Sequence, residues 1–185
     1  MRLFAVFLLF FCSCAFGQEV IFYKEDITFR LTSKYFIAEG TYWFSNPSDH
    51  DVQSPIYYPF PANGEVDSTD IFDISKGTQP KVSNRTDAGF SWVVAIDDHD
   101  TALYHIAYRQ KIDCDSAVYI LRSTQSWNKP LEYAEYKLIV EDSIMVTGYS
   151  FEPNKVYDID GKKIYLWRYS NFMPGKDFVV HFRPK

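Results

Sequence analysis

The chain has 185 residues, a formal charge of −5 and an aromatic content of 18%. That acidic balance offers no basic patch to nucleic acid or to an anionic membrane, so neither is expected as a partner. Cysteine usage excludes a disulfide-stapled module: Cys12 and Cys14 lie in an N-terminal segment expected to be removed, which leaves Cys114 without an intramolecular partner.

That N-terminal segment reads as a cleavable secretory signal. Arg2 supplies a positive start, residues 3–11 are unbroken apolar sequence, and residues 12–17 are mostly small. Ala15 and Gly17 fit the −3 and −1 sites of the peptidase, so cleavage is expected after Gly17 and residues 18–185 form the mature chain. The apolar run is too short for the ~20 residues that a membrane helix needs. No later stretch is longer, so no integral membrane segment is expected after cleavage. The alternative is lipid attachment at Cys14; Ser13 suits it, and Phe11 at the −3 position does not. Either way the address is extracytoplasmic, in the periplasm or outside the cell.

From residue 18 onward apolar residues recur with period two, and turn residues interrupt them every eight to twelve positions. Ile21, Tyr23, Ile27, Phe29 and Leu31 share one strand face, and Lys24, Asp26, Thr28 and Arg30 the other. A second strand over residues 34–44 ends at Asn46-Pro47-Ser48-Asp49. Residues 54–60 follow, with Pro55 and Pro59 removing ladder donors and marking an edge or a bulge. Asn63-Gly64 reads as a tight turn into residues 66–75, and residues 76–88 are the least structured stretch. Residues 90–96 and 102–112 read as a hairpin across residues 97–101, with Tyr104, Ile106, Tyr108 and Ile112 on one face. After a strand-like run at 117–121 come strands at 131–141, with Ala134, Tyr136, Leu138 and Val140 inward, and at 144–151. Residues 155–159 and 162–169 form a hairpin on Asp160-Gly161, the preferred pair for a type I′ turn. Residues 176–183 end the chain, with Phe178, Val180 and Phe182 inward. The expectation is one all-β domain, an antiparallel two-sheet β-sandwich of about ten short strands.

The stretch Tyr119-Ile120-Leu121-Arg122-Ser123-Thr124-Gln125-Ser126-Trp127-Asn128-Lys129-Pro130-Leu131-Glu132-Tyr133-Ala134 resembles an element of uncharacterised bacterial exported β-sandwich proteins. Tyr42-Trp43-Phe44-Ser45-Asn46-Pro47-Ser48 and Tyr57-Tyr58-Pro59-Phe60-Pro61 are similar to their upstream strand, turn and Tyr/Pro-rich strand. The resemblance implies an exported sandwich and brings no catalytic residues. On physical grounds Trp127 caps one end of the core, and Pro130 restarts the chain as a strand.

Asp97, Asp98 and Asp100, with His99 between them, are the densest group of metal-ligand types, but the spacing matches no calcium loop and fits a solvated turn. Cys114, flanked by Asp113 and Asp115, is expected to be an inert, buried or half-buried thiol. Asn84-Arg85-Thr86 is a glycosylation sequon that matters only in a eukaryotic host. Tyr165, Trp167 and Tyr169 occupy alternate positions on one strand, and such a stripe is either core or a platform for sugar rings. No cofactor is implied. The expected function is therefore an exported, non-enzymatic protein with a binding or assembly role, its partner a protein or a glycan. The alternatives are a carbohydrate-binding module using the Tyr165–Trp167–Tyr169 stripe, or a hydrolase with acidic residues converging in a cleft.

Overall fold

The computed structural model describes residues 20–185. The expected signal segment, its Gly17 cleavage site and Cys14 lie outside the described residues. Among the described residues thirteen strands form: β1 (Ile21–Leu31), β2 (Tyr35–Ser45), β3 (Val52–Pro59), β4 (Val66–Asp73), β5 (Ser83–Thr86), β6 (Gly89–Ile96), β7 (Thr101–Lys111), β8 (Ser116–Tyr119), β9 (Leu131–Val140), β10 (Ile144–Tyr149), β11 (Lys155–Ile159), β12 (Lys162–Phe172) and β13 (Phe178–Pro184). A short 3-10 helix (Arg122–Trp127) joins β8 to β9. No helix among the described residues is long and apolar enough to cross a membrane.

The protein is all-β, but the strands make three sheets instead of two. One has seven strands in the order β11-β12-β9-β1-β2-β7-β4; the others are β10-β13-β8 and β3-β6-β5. All pairings are antiparallel except that of β1 with β9. Both small sheets cover the same face of the large one. Phe178 of β13 stacks on Phe29 of β1 at 4.6 Å and meets Trp167 of β12 edge-on at 4.9 Å. Tyr58 of β3 meets Tyr42 of β2 at 5.8 Å, and Trp92 of β6 meets Tyr104 of β7 at 5.7 Å. The core is thus largely aromatic, and its tilted and edge-on pairings are those that the ring quadrupole favours.

The expected hairpin between β6 and β7 does not form. β6 pairs with β3 and β5, whereas β7 pairs with β2 and β4. The chain changes sheets twice at one corner, between β2 and β3 and again between β6 and β7. Asn46 ties both crossings. Its buried amide donates to His50 O at 2.8 Å and to Asp97 O at 2.9 Å, and its backbone N–H donates to Asp100 O at 3.0 Å. These bonds satisfy carbonyls that leave one ladder before joining the next. Asp97, Asp98 and Asp100 are therefore corner residues, exposed, with the Asp98 N–H bonded to Asp51 Oδ1 at 3.2 Å.

Other local readings meet their physical reasons. β3 pairs only with β6 and is an edge, which is where its two prolines cost no ladder bond. Asp160 and Gly161 both have positive φ, at 49° and 75°, as a type I′ turn requires. The stretch expected to be unstructured contains the short edge strand β5, with Asn84 exposed. Cys114 is exposed, not buried, because it sits in the surface connection between β7 and β8.

Gly89 opens β6 opposite Pro59 with φ of 149°. A Cβ there would lie 2.3 Å from Tyr58 O and 2.7 Å from Tyr57 Oη. Gly89→Ala is expected to cost roughly 2 kcal/mol or more, from backbone strain and overpacking together. Denaturant unfolding of the variant checks this; an unchanged midpoint would show that β3 can shift freely away from β6.

Candidate functional site

The first strand carries the chemistry. β1 holds Phe22 against the core, opposite Phe44 of β2, and the register then slips before Lys24 meets Trp43. This bulge changes the phase of the strand. Phe22 is buried, Ile21 and Tyr23 are only half-buried, and from there Glu25, Ile27, Phe29 and Leu31 all face inward. Tyr23 was expected on the core face; the extra residue rotates it away. Glu25 stays in phase with Ile27, Phe29 and Leu31 beyond the bulge and so lies in the core, opposite Tyr42 and only 2% exposed.

Glu25 accepts a hydrogen bond from the Tyr136 hydroxyl of β9. Burial pushes its carboxyl up to about 7, and the Tyr136 bond limits the rise. With Tyr136, tyrosines from five strands form a cluster on this side of the core. The Tyr42 hydroxyl lies 2.9 Å from those of Tyr58 and of Tyr119. Tyr108 stacks on Tyr119, with its own hydroxyl buried and unbonded. Burial raises all of these phenols well above their ordinary range, so they remain neutral donors and acceptors at any physiological pH.

Glu25 also lines a cavity of about 50 Å³. Phe22, Phe44 and Trp127 form an aromatic wall there, with the Trp127 ring 5.8 Å from Phe22 and 5.7 Å from Phe44. Next to the cavity runs an open groove of about 640 Å³ between β3 and the 3-10 helix. Cavity and groove share Ile56, Tyr57, Pro59, Ile120, Ser123 and Trp127. Asp177 anchors the helix side of the groove. Its Oδ1 accepts the N–H groups of Leu121 and Arg122, at 3.1 and 3.0 Å, and its Oδ2 pairs with the Arg122 guanidinium. Tyr57, 52% exposed, is held on the other side by a bond from its hydroxyl to Ala88 O at 2.7 Å.

The segment singled out in the sequence thus supplies one wall of the site. Trp127 is half-buried and caps the end of the core, and the polar run before it is a helical turn, where no helix was expected. Glu25 was missed, although a signal existed: it occupies the one position of the Ile21–Leu31 alternation that is charged on the apolar face.

The aromatic stripe lies elsewhere. Trp167 is 0% exposed, its indole N–H donates to Phe151 O at 2.8 Å, and Tyr165 is buried beside it. Tyr169 is half-buried and stacks on Phe172 at 4.2 Å. These rings are core packing and present no flat platform to a sugar. Among the described residues, no three His, Cys, Asp or Glu side chains come together as a metal site.

No family model matches the chain, and no curated protein matches it in sequence. Solved structures do share its fold. One is a "putative nutrient binding protein" from Legionella pneumophila, 12% identical, with a TM-score of 0.76 over 90% of this chain and 67% of that one. Another is an M1 zinc metallopeptidase from Deinococcus radiodurans, 9% identical, with a TM-score of 0.53 over 89% of this chain and 43% of that one. A "putative protease" from Parabacteroides distasonis is 10% identical, with a TM-score of 0.50 over 90% of this chain and 40% of that one. At these identities the likeness is one of fold. The chain spans about two thirds of the Legionella protein and about two fifths of the two others.

Proposed function

We propose that this chain is an exported, non-enzymatic binding domain that takes a small ligand into the groove between β3 and the 3-10 helix, with Glu25 at its inner end. The scaffold is a sandwich whose second layer is split into two small sheets. The observation that carries the reading is the pairing of an open groove with a largely aromatic cavity that holds one buried carboxyl, the usual anatomy of a ligand site. The signal-like N-terminus supports export. The fold shared with a protein named for nutrient binding supports a binding role. Among the described residues Glu25 is the one acid that lines the cavity, whereas hydrolysis of a glycoside calls for two facing carboxyl groups.

The test is a thermal-shift panel of amines, amino acids, sugars and carboxylates on residues 18–185, run beside Ser123→Trp. Ser123 is exposed and lines both cavity and groove, so an indole there fills the entrance. The expected result is that one ligand class raises the Tm of the parent by several degrees, and that the variant folds but loses the effect. No shift with any class, or an equal shift in the variant, overturns the reading.

A further inference from the structure

We propose that the ligand is a primary amine, and that Glu25 receives its ammonium head; this rests on the groove being a ligand site. Among the described residues, the cavity lining contains no Lys, Arg or His. The titratable groups that face Glu25 are the tyrosines Tyr42 from β2, Tyr58 from β3, Tyr119 from β8 and Tyr136 from β9, and burial keeps each neutral. Arg122, in the outer groove, is committed to Asp177. Among the described residues the carboxyl therefore has no internal cation, and a buried carboxylate without one is strongly disfavoured. A ligand cation supplies the missing charge.

Four further features select the kind of cation. The wall of Phe22, Phe44 and Trp127 is aromatic, and aromatic rings attract an ammonium placed over them. A cavity of about 150 Å³ takes a benzene ring, so about 50 Å³ holds a head of only a few atoms, a methylene and its ammonium. A trimethylammonium head is too bulky. The remainder of the ligand lies in the groove, against Ile56, Pro59 and Ile120, which asks for an apolar or mixed chain on the amine. The tyrosine hydroxyls add acceptors for the ammonium protons that Glu25 does not take. A carboxylate head would be repelled, and an alcohol would leave the charge unmatched.

The experiment measures binding of n-butylamine, butan-1-ol, butyrate and tetramethylammonium by calorimetry and by the fluorescence of Trp127 and Trp92. At about pH 8 butylamine is expected to bind about tenfold or more tighter than butanol, with butyrate and tetramethylammonium weaker still. Below about pH 7 its affinity falls about tenfold for each pH unit, because the protonated Glu25 no longer pairs with it. Glu25→Gln removes the preference for the amine. Should that variant fail to fold, the carboxyl 13C resonance of Glu25 in the parent decides: butylamine must move its titration midpoint downward. Butanol or butyrate binding as well as butylamine, or an unmoved midpoint, overturns the amine assignment. The groove reading survives that result as long as Ser123→Trp abolishes whatever binds. If neither these probes nor the wider panel bind, both fall.

Discussion

Glu25→Gln is expected to stabilise the unliganded domain by about 3 kcal/mol at about pH 8.5 and to leave it nearly unchanged near pH 4.5. In the folded protein the carboxyl titrates at about 7, against 4.5 for the free side chain. Between those values the native state holds a proton that the unfolded state has released. Stability then falls as pH rises, with the loss complete above about pH 7. Below 4.5 both states are protonated and the penalty vanishes. Glutamine has the same shape, its carbonyl can still accept from the Tyr136 hydroxyl, and it never ionises. Urea unfolding of parent and variant at both pH values tests this. With a urea m-value of about 1–3 kcal/mol/M, a change of about 3 kcal/mol moves the midpoint by about 1 M or more, so the difference is easily read. Equal midpoints at the higher pH would mean that Glu25 carries no burial penalty, and the argument for a missing cation would lose its base.

The two roles of Glu25 oppose one another. A domain under selection for stability alone gains by replacing an unpaired buried acid with an amide or a Leu. Keeping the acid is reasonable where ligand binding returns the lost free energy, the usual tension between stability and a functional site. The rest of the surface tells a different story. On the outer face of the large sheet charges are paired across strands, Arg30 with Glu39 and Arg168 with Glu135. Lys24 lies over the Trp43 ring at 4.1 Å. Such solvent-exposed pairs contribute little to stability.

The period-two pattern made much of the architecture legible, because alternation reports directly on which face is buried. Ala134, Tyr136, Leu138 and Val140 of β9, and Phe178, Val180 and Phe182 of β13, are buried as their spacing demands. Asp160-Gly161 and the prolines of β3 carry backbone constraints of their own, so their turn and edge could be read one residue at a time. Partner choice could not. Residues 90–96 and 102–112 look like a hairpin, yet each strand buries its apolar face in a different layer, and that depends on β2, β3 and β4 far away in sequence. The bulge before Glu25 left a fainter trace. One inserted residue reverses inward and outward, and Ile21-Phe22-Tyr23 is apolar in either phase. The acid in the core was visible only as a gap in the alternation. The aromatic stripe of β12 was ambiguous for a related reason: Ile164 and Leu166, between the rings, are buried as well, so both faces of that strand read as core.

Trp167→Ala follows from that last point and is expected to be strongly destabilising. The indole sits between Phe178, edge-on at 4.9 Å, and Tyr165, stacked at 6.3 Å, at the centre of the contact between β12 and the β10-β13-β8 sheet. Removing it leaves a cavity that rigid β-strands cannot close and strands the Phe151 carbonyl that its N–H now satisfies. The expected loss is roughly 3–5 kcal/mol, against a total of about 5–15 kcal/mol for a domain. Trp167→Phe keeps most of the apolar contact and loses the hydrogen bond, so it should cost clearly less. Denaturant unfolding of the two variants gives the ranking. Acrylamide quenching of the parent should find a shielded tryptophan component that neither glycans nor amines protect further. If Trp167→Ala keeps its stability and a sugar panel loses affinity, those rings belong to a ligand surface, and the groove beside Glu25 would have to share its role with them.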